Sequence, residues 1–310
     1  MTSTMETRPY FHSADRENGS QELISVLVVT WNRREELGRC LQSVRGQTYK
    51  NIEVVVVDNA STDGTSAMIT TDFPEVRLVR SARNLGCPSG RNLGFAFCEG
   101  EYIYMLDDDG WLKQDALEIA ARQMRDNPRI GVVMSRIHEV ENGCTVRQRP
   151  HGIEQPCYQA SFSGGCSLIR NRVIQMVGMF PENFFRQGEE HDLALRMLEA
   201  GYYCFAEPRS IMFHAPSASG RNNLAIAFYN LRNSNRTGIR LWPFPWCVLR
   251  PIVSLGHAIR LSIQLGCIEL PWRVLQAFVR DLFGLLDERK PVSVGTFATF
   301  RRLQKLGAAS

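Results

Sequence analysis

The sequence predicts an α/β protein, a mostly parallel sheet flanked by helices, followed by a basic helical segment. Three observations predict it. Short β-branched runs alternate with amphipathic helical patterns over the first two thirds of the 310 residues. Polar residues gather where those runs end. The charge then changes sign: from Arg221 onward there are 13 Lys+Arg against 4 Asp+Glu, a net +9, whereas the first 220 residues hold 23 against 28, a net −5. With 44% hydrophobic residues the chain can bury one large core or two smaller ones. This organisation divides it into a leader (1–22), an α/β domain (23–220) and a C-terminal amphipathic region (221–310).

The leader, "MTSTMETRPYFHSADRENGSQE", is polar and lacks the apolar run of a secretory signal. The expected strands follow as "ISVLVVT" (Ile24 to Thr30), "IEVVVV" (Ile52 to Val57), "VRLV" (Val76 to Val79), "YIYML" (Tyr102 to Leu106) and "IGVVMS" (Ile130 to Ser135). Between them, "REELGRCLQSVRGQ" puts Leu37, Leu41 and Val44 on one helical face, and "QDALEIAARQMRD" does the same with Leu117, Ala120, Ala121 and Met124. Strand and helix alternating in this way imply parallel strands joined by right-handed crossovers. Ligands of such sheets bind beyond the carboxyl ends of the strands.

Those ends are polar here. Strand one runs out into Thr30, Trp31, Asn32 and Arg33, strand two into Asp58, Asn59, Ala60 and Ser61, and strand four into Asp107, Asp108 and Asp109. Three adjacent carboxylates repel one another, so something must offset the repulsion. A solvated turn capping the next helix is one answer. A divalent cation, which takes oxygen ligands from one or two carboxylates and substrate phosphates, is the other. Asp58 has two readings as well: the cap of an Asx turn in "DNASTDGT", or a ligand contact.

The nine cysteines are scattered and never spaced as a CxxC pair, so neither a zinc knuckle nor a disulfide framework is indicated, and reduced cysteines in the cytoplasm fit best. No stretch of about 18 apolar residues is present, so no spanning helix is expected.

Three segments together carry a resemblance: "VLVVTWNRREELGRCLQSVRGQTYKNIEVVVVDNASTDGT", "NLGCPSGRNLGFAFCEGEYIYMLDDD" and "FSGGCSLIRNRVIQMVGMFPENFFRQGEEHDLALRMLEAGY". In this order the chain, from about residue 24 to 216, resembles an inverting family 2 glycosyltransferase of the GT-A fold, with a rhamnosyltransferase-like subgroup as one form of it. The resemblance implies a UDP- or dTDP-sugar as donor and Mn²⁺ or Mg²⁺ as cofactor. It implies donor contacts from Thr30, Asn32, Arg33, Asp58, Asn84, Arg91, Asp107 and Asp108. Asp58 would accept the ring N–H of a pyrimidine. The Asp triple resembles the family's DxD signature, with Asp109 on the metal, Asp107 a less certain ligand, and His214 of "IMFHAPS" a further one. Gly86, Gly90 and Gly94 permit tight turns and close helix packing on any reading.

An inverting transfer needs one carboxylate to take the acceptor's proton. The family's usual run is Glu-Asp-x-Asp-Leu; this chain has Glu189, Glu190, His191, Asp192, Leu193, so Glu190 stands where Asp is usual. Glu190 is the expected base. Asp192 is the alternative, although its spacing to Arg196 favours a helical ion pair.

The resemblance further implies a saccharide or lipid-linked acceptor in cell-surface polysaccharide synthesis. The tail interleaves apolar residues with Arg250, Arg260, Arg273 and Arg280, broken by Pro251 and Pro271. It suits an anionic membrane surface on the cytoplasmic face, or equally packing against the catalytic domain or a second subunit. Nucleic acid is not expected, since no recognised module appears. Two other function classes compete. A sugar-1-phosphate nucleotidylyltransferase should open with a Gly-rich basic phosphate loop, absent from "VVTWNRREE". A non-catalytic nucleotide-sugar binding protein would tolerate loss of the Asp triple or of "EEHD", and both are present.

Overall fold

A computed structural model of the protein describes residues 21–141, 144–150, 153–215 and 223–309. The expected leader thus lies almost wholly outside the described residues, as does the expected boundary near residue 220. Its last residue, Glu22, is tied to the domain: its carbonyl accepts from the Tyr49 hydroxyl, and its carboxylate pairs with Arg125 at 3.3 Å.

The described elements run β1 (Ile24–Thr30), α1 (Arg34–Arg45), β2 (Ile52–Asp58), α2 (Thr65–Asp72), β3 (Arg77–Arg80), α3 (Cys87–Phe95), β4 (Tyr102–Asp107), β5 (Gly110–Leu112), α4 (Ala116–Asp126), β6 (Ile130–Glu141), β7 (Cys144–Arg149), β8 (Cys157–Gln159), β9 (Cys166–Arg170), α5 (Asn171–Val177), α6 (Glu189–Glu199) and β10 (Tyr203–His214). Four helices follow: α7 (Asn223–Leu241), α8 (Trp246–Leu265), α9 (Leu270–Asp287) and α10 (Val294–Ala309). One mixed sheet has the order β3-β2-β1-β4-β9-β6-β10-β5, with β7 beside β6 and β8 beside β10.

The first half of the sheet is parallel, as expected: β3, β2, β1 and β4 all point the same way. The second half is not. Strand β9 lies antiparallel to both β4 and β6, and β5 lies antiparallel to β10. The reversal falls at β4, so the loop that enters β9 lands beside the residues that leave β4. Asp107 N–H accordingly donates to the Gly165 carbonyl at 2.9 Å.

The core sits on both faces of this sheet. Central strands β1 and β4 are apolar on both faces, as a covered sheet requires. The expected stripes of α1 and α4 are the buried ones, with Cys40 and Ala116 added. Each fully buried Leu, Ile or Val contributes about 1.5–3 kcal/mol. Helix α3 approaches β1 closely because it carries glycines: a Cβ on Gly94 would lie 2.3 Å from Leu27 Cδ1, and one on Gly90 2.7 Å from Val29 Cγ1.

The C-terminal helices divide their faces. Leu241, Val292, Phe297 and Phe300 pack with Leu195 of α6, joining the tail to the sheet domain. Ala227, Leu231, Ala258, Leu270 and Val274 form a separate cluster among α7, α8 and α9. Pro251 is accommodated inside α8, and Pro271 lies in the first turn of α9, where its missing N–H costs nothing. No described helix is long and apolar enough to cross a membrane. All nine cysteines are free.

Candidate active site

The mutual repulsion of the three adjacent aspartates is offset by two arginines, Arg91 on Asp107 and Arg33 shared by Asp108 and Asp109. Asp107 ends β4 and pairs through Oδ1 with Arg91 Nη2 of α3 at 3.1 Å. Asp108 accepts from the Thr30 hydroxyl at 2.8 Å and pairs with Arg33 at 3.3 Å. Asp109 pairs with Arg33 and lies 3.2 Å from His214 Nε2. Strand pairing explains the last contact, because His214 at the end of β10 stands opposite Gly110 of β5. The turn reading of this stretch is therefore half right. A turn is present, but its carboxylates are held by side chains rather than by solvent.

The electrostatics separate the three. Burial pushes the Asp108 pKa up to about 7, against the pull of Arg33. Burial acts on Asp109 in the same direction, but His214 and Arg33 hold it below the ordinary carboxylate value. Asp109 is thus the anion of the cluster. The metal implied above fits these residues in one respect: His214 Nδ1 is buried without a partner, and its other nitrogen faces the ionised Asp109. Among the described residues no group of three or more His, Cys, Asp or Glu is spaced to hold a metal. Asp109 and His214 would therefore be completed by phosphate oxygens and water, as Mg²⁺-type ions commonly are.

A second constellation adjoins the first through Asp107. Arg91, buried, also pairs with Glu189 at 3.3 Å. Glu190, the next residue on α6, accepts from the Gly164 N–H at 3.3 Å. The "GG" of "FSGGCS" is required at this point. A Cβ on Gly165 would lie 1.9 Å from Asp107 Oδ2, and one on Gly164 would lie 2.3 Å from Arg91 Nη1 and 2.9 Å from Glu190 Oε1. The packing of "FSGGCS" makes it the wall between the acids.

Glu189 was quoted only as part of a motif. It is buried, and burial together with neighbouring Glu190 pushes its pKa up to about 8, while Arg91, shared with Asp107, pulls the other way. The sign follows. From about pH 4.5 to 8 the folded protein retains a proton that the unfolded chain has released, so stability falls as pH rises through that window. Glu189→Gln fixes the neutral form and should flatten this part of the stability profile. Urea unfolding at pH 5 and pH 8 measures it, and an unchanged slope in the variant would contradict the assignment.

Asp192 lies elsewhere. It is fully buried, with Arg196 on one oxygen at 2.8 Å and Arg240 of α7 on the other at 2.7 Å. The helical pair expected from spacing is present. Its second arginine was hidden because the partner is 48 residues away.

The expected base-contacting rim is assembled but self-satisfied. Asp58 is fully buried and accepts from the Ser61 N–H at 2.8 Å and from the Ser66 hydroxyl, the contacts of the Asx-turn reading. Asn32, at a φ of 53°, bridges the strand ends: its N–H donates to Ser61 Oγ at 2.9 Å and its Oδ1 accepts from Thr62 N–H at 2.7 Å. Asn84 accepts from Gly86 N–H at 2.9 Å. Trp31 stands exposed beside them.

Residues 25–188 match the model of the family described as "Glycosyl transferase family 2". The chain belongs to glycosyl transferase family 2. Within this family its similarities include an uncharacterized glycosyltransferase of Haemophilus influenzae, 26% identical over 190 residues, which are 57% of this chain and 62% of the relative. The chain spans less than two thirds of the length of curated relatives that it matches. Among solved structures, the fold resembles the mannosyltransferase PcManGT from Pyrobaculum calidifontis in complex with GDP-Man and Mn²⁺. There the TM-score is 0.58 at 19% identity, covering 96% of this chain and 87% of that one. It also resembles GalNAc-T7 with UDP, GalNAc and Mn²⁺, with a TM-score of 0.63 at 15% identity, covering 86% and 58%. The fold is thus of the GT-A type, and residues 25–188 carry the family 2 glycosyltransferase domain.

Proposed function

We propose that this family 2 enzyme is a metal-dependent inverting glycosyltransferase that moves a sugar from a pyrimidine nucleotide-sugar to a hydroxyl of a saccharide or lipid-linked saccharide. The observation that carries the reading is the convergence of the Asp triple, His214 and Glu190 on one rim of the sheet, joined by Asp107, Arg91 and the two glycines. Glu190 takes the proton of the acceptor hydroxyl while that oxygen bonds to the anomeric carbon. The bond from that carbon to the diphosphate breaks on the opposite face, and its electron pair leaves with the nucleoside diphosphate. Asp109 and His214 would hold the cation, with Asp107 as a further ligand; when bound, it neutralises charge developing on the leaving phosphate. Thr30, Arg33, Asp107, Asp108 and Arg91 line the donor's diphosphate and ribose side, with Asn32, Asp58 and Asn84 toward the base.

Asp58 accepts two hydrogen bonds and faces Arg80 at 3.9 Å, and it enters this reading through the acceptor sites of a carboxylate that these contacts leave. Such a group suits the ring N–H of uracil or thymine, and that of guanine too, so GDP is the discriminating competitor. UDP or dTDP with Mn²⁺ should raise the melting temperature more than GDP does; at a hundred times Kd the stabilisation is about 2.7 kcal/mol. Asp109→Asn should abolish both the metal requirement and the nucleotide effect. Equal stabilisation by GDP would remove the pyrimidine assignment, and a metal-independent response would remove the cation.

The outer face of α8 and α9 supports an interfacial membrane role. Ile263, Ile268 and Phe283 are 78, 89 and 79% exposed, and Trp272 and Val279 continue the face. Deleting the tail would not test this cleanly, since it would uncover Leu195 and unpair Asp192. Ile263→Glu with Phe283→Glu leaves those contacts intact and should abolish flotation with anionic vesicles. A wild-type protein that ignores such vesicles at low salt would assign the face to protein packing instead.

A further inference from the structure

Beside Glu190 a cavity of about 490 Å³ opens between α6 and the C-terminal helices. Glu190 and His191 form one side, Ser234 and Thr237 of α7 another, and Arg250 of α8 and Arg301 of α10 close it. Four buried polar atoms on residues lining it lack any protein partner: Gln187 Oε1, an acceptor, and Thr237 Oγ1, Trp242 Nε1 and Arg250 Nε. The tryptophan and arginine atoms are donors, and the threonine hydroxyl can donate. Thr237 is only 3% exposed, so bulk water does not satisfy it.

Arg250 is seated for this purpose. Its stem lies against α7 where Gly238 leaves room, since a Cβ there would approach Arg250 Cγ to 2.6 Å. Its Nη2 donates to Ser234 Oγ, and its guanidinium lies 5.6 Å from the Trp242 ring centroid. Among the described residues it makes no ion pair, and the nearby charge acting on it is a second cation, Arg301. Arg250 is a half-buried cation, and such groups are commonly paired. The one acid lining the cavity, Glu190, is turned to Gly164.

We propose that this cavity is the acceptor subsite and that it takes an oxyanion of the acceptor, a phosphate or a carboxylate, held by Arg250, Thr237 and Trp242 so that an acceptor hydroxyl faces Glu190. The proposal rests on the transferase reading for the role of Glu190. It adds the chemistry of the substrate: an anionic glycan or glycolipid rather than a neutral one.

The test titrates full-length protein, saturated with UDP and Mn²⁺ to occupy the donor side, with inorganic phosphate and separately with glucuronate. Both are run against chloride at equal ionic strength and followed by tryptophan fluorescence and melting temperature. One of the two anions should bind, and Arg250→Gln should weaken it at least tenfold with UDP affinity unchanged. Thr237→Val, which keeps the shape and removes only the hydroxyl, should weaken it by a smaller factor and guards against misfolding of the first variant. Preference for phosphate identifies a phosphorylated acceptor; preference for glucuronate identifies a uronate-bearing one. Anion binding equal in wild type and both variants, or no response beyond chloride, overturns the proposal. A response seen only without UDP belongs to the donor site and overturns it too. Failure to bind any nucleotide with Mn²⁺ would instead sink the transferase reading, a result that UDP titration reports separately.

Discussion

Glu190→Gln is expected to lower turnover by roughly 10²–10⁴-fold with nucleotide affinity unchanged. The amide keeps the length of the side chain, and its oxygen can still accept from the Gly164 N–H that holds Glu190 at 3.3 Å, so geometry survives. What is lost is the ability to accept a proton as the acceptor oxygen attacks. Steady-state rates with UDP affinity measured alongside give the split. A fully active Glu190→Gln enzyme would end its role as base.

Asp192→Asn is expected to do the reverse, costing about 3 kcal/mol of stability and lowering the rate per folded molecule far less than Glu190→Gln does. The buried carboxylate neutralises two arginines at once, and removing its charge leaves both guanidiniums facing an amide. These arginine side chains are 16 and 17% exposed, and partial hydration puts the loss at the low end for a broken buried pair. A shift of several degrees in Tm should result. If the variant melts like the wild type yet is dead, the base role passes to Asp192.

The parallel half of the fold was legible because β1, β2 and β4 are short, largely buried apolar runs, and α1 and α4 carry clean helical stripes. The second half was not. Strand β9 reads "CSLIR" after two glycines, and neither its antiparallel direction nor its place between β4 and β6 is encoded locally; both are set by which neighbours it buries against. Strands β5, β7 and β8 are too short or too polar to announce themselves.

At the site, the strand-end acids stood out because like charges in a row demand an explanation. Their counter-charges did not. Arg91 reaches Glu189 across 98 residues, and Arg240 reaches Asp192 across 48, distances at which no sequence spacing signals a contact. The partners of the basic tail were hidden for the same reason. Arg232 and Arg236 face Asp281 within the helical bundle, and Arg240 pairs with Asp192 and Glu288, so much of the net +9 is spoken for inside the protein. A signal existed: arginines at 232, 236 and 240 fall on one helical stripe, the mark of a face with a partner.

The first turn of α6 is gripped from two directions. The backbone of residue 164 holds Glu190 from the sheet side, and α7 holds Asp192 from the other. A carboxylate fixed in this way has given up its rotational freedom when the chain folds, so none of that ordering entropy is charged against the barrier at each turnover. If Glu190 is the base as proposed, its placement therefore depends also on α7, a region with no reacting atoms in it. Loosening α7 would leave every site residue present and correctly bonded in the ground state, yet widen the distribution of attack geometries, and would register as a more unfavourable activation entropy rather than as a weaker affinity.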